Sequence, residues 1–174
     1  MAAADPIPLN PEAGGEIERL YRDHHAMILR TAYRITRDMR DAEDVLHGLF
    51  MRLMQDGGPP VPAEGAGPYL HRAAVNRSLD LLRQRRRDLP VEAAGSSGPA
   101  GPLPPDEVRR RRELGDRLRA AIARLSPRAA EIFVLRHVEG LSNAEIGRLL
   151  GTSWSVVAVT LHRARRRLRK EFQS

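Results

Sequence analysis

Arg163, Arg165, Arg166, Arg167, Arg169 and Lys170 place six cations within eight consecutive positions. Side chains of this type and density bind a polyanion: guanidinium forks match phosphate oxygens and displace counterions from them. A second basic group closes the stretch NRSLDLLRQRRR, with Arg83, Arg85, Arg86 and Arg87 following Asn76, Arg77 and Asp80. A third is the run Arg109 to Arg112, where like charges in a block usually stay solvated. Carboxylates cluster differently. Asp41, Glu43 and Asp44 stand at the start of an apolar helix, where acidic groups favour the helix macrodipole. Groups for covalent or metal chemistry are sparse. The chain has no cysteine, hence no thiol nucleophile, thiolate zinc site or disulfide. His24, His25, His47, His71, His137 and His162 form no metal-ligand spacing, and no phosphate-cradling or dinucleotide-binding glycine loop occurs. The expectation is a protein with no catalytic residues, no metal and no cofactor.

The charge is uneven. The net charge is +7 over 174 residues, with a pI of about 11.0. From Glu16 to Asp88 there are 13 basic and 11 acidic residues, against 16 and 8 from Asp106 to Ser174. The second half therefore carries the polyanion signal. Aromatic residues are only 4%, so Leu, Ile, Val, Ala and Met must build the core. No apolar run reaches membrane-spanning length and no secretory leader precedes the chain, which implies no membrane insertion and a cytoplasmic location.

The elements that position these groups are helical. Ile17, Leu20, Tyr21, His24, Met27, Ile28, Thr31, Ala32 and Ile35 recur at steps of three and four. Val45, Leu46, Leu49, Phe50, Leu53 and Met54 give a second stripe, and Tyr69, Leu70, Ala73, Ala74, Leu81 and Leu82 a third. Leu114, Leu118, Ala121, Ile122 and Leu125 give another. Ser126-Pro127 starts a helix that Gly140 ends. Ser142 and Glu145 form a capping box, Gly151 suits a helix C-terminus, and Ser153 can cap the next helix. Helix, glycine turn and helix at this spacing is a helix-turn-helix pattern. In its second helix Val157, Leu161, Ala164 and Leu168 form the buried face. No segment alternates with period two, so the fold class is all-α. Two Pro/Gly-rich stretches punctuate it, residues 56–68 as a loop and 89–107 as a linker. The expected organisation is a disordered 1–15, a helical unit 16–88, the linker 89–107 and a helical unit 108–174.

The first unit, through DAEDV and PYLHRAAVNRSLDLLRQRRR, resembles region 2 of bacterial sigma factors of the extracytoplasmic-function class. LSPRAAEIFVLRHVEGLSNAEIGRLLGTS followed by LHRARRRLRK resembles region 4 of the same family. The resemblance implies a transcription initiation factor that binds core RNA polymerase, through the beta-prime clamp and beta flap, and promoter DNA. It also implies an anti-sigma factor as partner, and a monomer when free. It places Asp44, His47, Phe50 and Met51 at the clamp. Asn76, Arg77, Asp80, Arg83, Arg85, Arg86 and Arg87 would face the −10 element, with residues 56–68 near a flipped base. Ser142, Ser153, Trp154, Ser155, Thr160, His162, Arg163, Arg165, Arg166 and Arg167 would face the −35 element. Two departures stand out. The family usually has Gln and an acidic residue where His47 and Gly48 stand, and Thr, Lys, Ser and Arg where this chain has Val156, Ala158, Val159 and Thr160. Two rival readings stand beside this: a stand-alone helix-turn-helix regulator, since GLSNAEIGRLLGTS also resembles quorum-sensing regulators, and a sigma-derived protein-interaction module with weak base readout.

Overall fold

The computed structural model describes residues 11–58, 65–88 and 105–173. Among them are seven α-helices and no strand: α1 Pro11–Thr36, α2 Met39–Gln55, α3 Ala66–Asp88, α4 Pro105–Ala123, α5 Pro127–His137, α6 Asn143–Leu150 and α7 Trp154–Gln173. Helix α1 begins at Pro11, inside the stretch 1–15 expected to lack order. Helix α4 likewise starts at Pro105, within the expected linker. The rest of that linker, the flipped-base loop from 59 to 64 and residues 1–10 lie outside the described residues.

Local chemistry sets the boundaries. Arg37 takes a left-handed conformation with φ 61°, and Asp38 then caps α2 by accepting from the backbone N–H groups of Arg40 and Asp41. Ser126 caps α5, with Pro127 at its first position. In the first unit Ile17, Leu20, Ile28, Leu46, Leu49, Phe50, Leu53 and Leu70 pack between α1, α2 and α3. Leu114 and Leu118 depart from the expected stripe: both are exposed, while Ala121, Ile122 and Leu125 at the end of α4 are buried.

The second core does not stop at the unit boundary. Ile122, Leu125, Ile132, Leu135, Ile146, Val157 and Leu161 share one buried cluster with Ile35 of α1 and with Val75 and Leu79 of α3. Helix α3 thus packs on α1 and α2 with one face and on α4 and α5 with another.

Candidate nucleic-acid interface

The helix-turn-helix forms from α6 and α7. The hydroxyl of Ser142 accepts from the Glu145 N–H at 3.2 Å, and the Glu145 carboxylate accepts from the Ser142 N–H at 2.7 Å. That reciprocal pair holds the Glu145 carboxyl below its ordinary value. Gly151 ends α6 at φ 61°, where a Cβ would be strained. Gly147 answers a different demand: a Cβ there would lie 2.8 Å from the Thr152 carbonyl oxygen, so the turn passes over α6 only because no side chain intervenes. Ser153 then caps α7 by accepting from the Val156 N–H at 3.3 Å.

Helix α7 buries Val157, Leu161, Ala164 and Leu168 against α5 and α6. Its opening turns expose Trp154, Val156 and Val159 at 66%, 51% and 50%. The hydroxyls among them are committed locally. Thr160 donates to the Val156 carbonyl at 2.8 Å, and Ser153 and Ser155 bond each other at 2.9 Å. His162, Arg163, Arg166 and Arg167 are exposed. Arg165 donates its Nε to Nε2 of His137 at 3.3 Å. Burial, then the charges of Arg165 and Arg136, pushes the His137 pKa down, which keeps the ring neutral and able to accept.

On α2, Asp44, His47 and Met51 are exposed, with Met51 at 51%. Phe50 is not on that surface. It is buried, edge-on to Tyr21 at 5.0 Å, and its assignment to a partner contact is corrected to core packing. On α3, Arg77 lies over Gly48, where a Cβ would come 2.6 Å from its guanidinium. Gly48, which stands where the family usually has an acidic residue, thus makes room for this arginine. Asp80 accepts from Arg83 at 2.8 Å. Arg85 bonds the buried Asp41 carboxylate. Desolvation raises the Asp41 pKa by more than Arg85 lowers it. Arg86 and Arg87 are exposed. Asn76 donates to Glu131 of α5 at 3.0 Å, as Arg72 does at 2.7 Å. Sequence reasoning passed over Arg72, His71, Glu131 and Glu139. The usable signal was Glu131: a carboxylate in PRAAEIFVLRH, a helix apolar nearly all round, needs a partner.

Two helical units, the second ending in a helix-turn-helix with a basic second helix, define a class of promoter-recognition proteins. Residues 20–88 match sigma-70 region 2, and residues 115–168 match sigma-70, region 4. The chain is 34% identical over 155 residues to the ECF RNA polymerase sigma factor SigE of Mycolicibacterium smegmatis, covering 87% of this chain and 60% of that protein. It is 28% identical over 172 residues to the ECF RNA polymerase sigma factor SigW of Bacillus subtilis, covering 93% and 90%. It is 31% identical over 157 residues to the RNA polymerase sigma-E factor of Streptomyces coelicolor, covering 90% and 85%. The chain belongs to the sigma-70 family, in its extracytoplasmic-function class. It is a transcription initiation factor that directs RNA polymerase to promoters. None of its described helices is long and apolar enough to cross a membrane.

Proposed function

We propose that residues 16–88 hold the polymerase clamp through Asp44, His47 and Met51 of α2 and meet the −10 element through α3, while residues 108–174 meet the beta flap and the −35 region. The second unit binds DNA chiefly through phosphates and reads bases weakly, so promoter choice rests on the first unit. What supports this is the make-up of α7. Its exposed arginines follow an opening that presents Trp154, Val156 and Val159, and the Thr160 hydroxyl donates to its own helix. Bidentate base readout needs paired donors and acceptors, each good pair giving about 1–3 kcal/mol of discrimination. Valine supplies only contact with a thymine methyl. Run-off transcription with core polymerase, on promoters randomised across the −35 region, tests it. Near-equal output across the pool is expected. A sharp base preference lost in Thr160→Ala or His162→Ala would overturn it.

The exposed Trp154–Val159 surface also favours a second reading, in which an anti-sigma factor covers this apolar patch. Trp154→Ala would then weaken that complex and leave duplex binding unchanged.

A further inference from the structure

Arg77 of α3 reaches across to α2. A Cβ built on Gly48 would stand 2.6 Å from its Nη2, 3.1 Å from its Nε and 3.2 Å from its Cζ. Three atoms of one guanidinium at such similar range from one point place the group over the Gly48 backbone. Any other residue at 48 would put a side chain there. Glycine weakens a helix interior relative to alanine. Helix α2 thus gives up local stability at the one position where this guanidinium rests.

Asp44, His47, Gly48 and Met51 lie three and four residues apart and share one face of α2. Asp44, His47 and Met51 are exposed there, and so is Arg77. Other arginines of α3 are engaged within the chain: Arg72, Arg83 and Arg85 each pair with a carboxylate. Arg77 makes no ion pair among the described residues. Packing therefore fixes its position while its charge is left for a partner. A guanidinium is weakly hydrated and presents its donors as a planar fork, which suits a carboxylate on another protein. Where the family usually has an acidic residue, this surface carries the opposite sign.

We propose that Arg77 belongs to the polymerase-docking face of α2 and not to the DNA face of α3, and that Gly48 lays its guanidinium where it meets a carboxylate of core polymerase. The inference rests on the proposed function, which puts Asp44, His47 and Met51 at the clamp. Arg86 and Arg87, exposed at the end of α3, keep the phosphate role.

The test titrates the full chain, labelled at its amino terminus, with core polymerase. Arg77→Ala and Gly48→Ala should each weaken the complex at least about ten-fold, as truncating one partner of a desolvated charge pair does. The double variant should bind no more weakly than Arg77→Ala, because both changes remove one contact. Arg77→Glu should bind more weakly than Arg77→Ala, since it sets carboxylate against carboxylate. Gly48→Ala should melt at or above the wild-type temperature: its Cβ meets only the flexible end of Arg77, and alanine favours the helix. That separates lost docking from lost folding. At saturating polymerase, the Arg77→Ala holoenzyme should bind a single-stranded oligonucleotide carrying the −10 element of a promoter it transcribes as tightly as the wild type does. Wild-type core binding by Arg77→Ala, or a loss confined to the oligonucleotide, overturns the proposal. Tighter core binding by Arg77→Glu than by Arg77→Ala does so too. If Asp44→Ala and Met51→Ala weaken core binding while Arg77→Ala does not, this inference alone falls. If all three bind as the wild type does, the clamp reading of α2 falls with it.

Discussion

Phe50 and Met51 are neighbours with opposite duties. Phe50 sits in the first core and Met51 faces outward. Phe50→Ala should cost about 3–5 kcal/mol, the usual loss for emptying a buried aromatic site, read by urea denaturation. Met51→Ala should leave stability within about 0.5 kcal/mol and weaken binding to core polymerase in a pulldown titration. Equal effects of both on stability would return Phe50 to the surface. Gly147 offers another separation of causes. Alanine gains up to about 1 kcal/mol of helix propensity over glycine. Here its Cβ would press on the Thr152 carbonyl, and overpacking costs about 1–3 kcal/mol. Gly147→Ala should therefore lower the unfolding free energy and loosen duplex binding together, because the same turn aims α7.

Helix α7 divides along its length. The first turns are apolar and exposed, and the later turns carry the arginines. If Arg163 and Arg166 neutralise phosphates, removing both should weaken binding to every duplex alike. The log–log salt slope should fall by about 0.9 for each phosphate no longer neutralised. An unchanged slope in filter-binding or anisotropy titrations would put this face away from DNA. Arg165 differs from its neighbours, since His137 holds its Nε. Arg165→Ala should change that slope less than Arg163→Ala does. Helix α3 is likewise divided along its length. Its last turn bears Arg86 and Arg87 in solvent, and earlier turns hand Arg72 and Asn76 to Glu131.

The union of the two units depends on pH through Glu139. Burial raises its pKa, but the bond from His71, the Arg34 charge and the Thr31 hydroxyl outweigh burial and leave it lowered from 4.5. The facing groups are His71 of α3 and Thr31 and Arg34 of α1. A lowered carboxyl pKa stabilises the folded form at pH above about 4.5, and that share is lost as pH falls through the lowered value. Thermal unfolding of the wild type should thus weaken on acidification more steeply than that of Glu139→Gln. Parallel curves for the two would remove Glu139 from the linkage.

Much of this was local and therefore legible. The Ser142–Glu145 box, Ser126-Pro127, the glycine after α6 and the Val157, Leu161, Ala164, Leu168 face all lie within one or two helical turns of their partners, so spacing alone revealed them. The apolar opening of α7 was equally plain in the residue types. What spacing could not supply was partners far away in the chain. Phe50 and Met54 belong to the same stripe, and only the docking of α1 on α2 decided that Phe50 is buried while Met54 stays exposed. Leu114 and Leu118 look like core by period, yet both stay exposed among the described residues. Glu131 meets Asn76 across 55 positions and Glu139 meets His71 across 68. A carboxylate's partner at that separation is set by how two apolar faces pack, and the sequence holds each face but not their meeting.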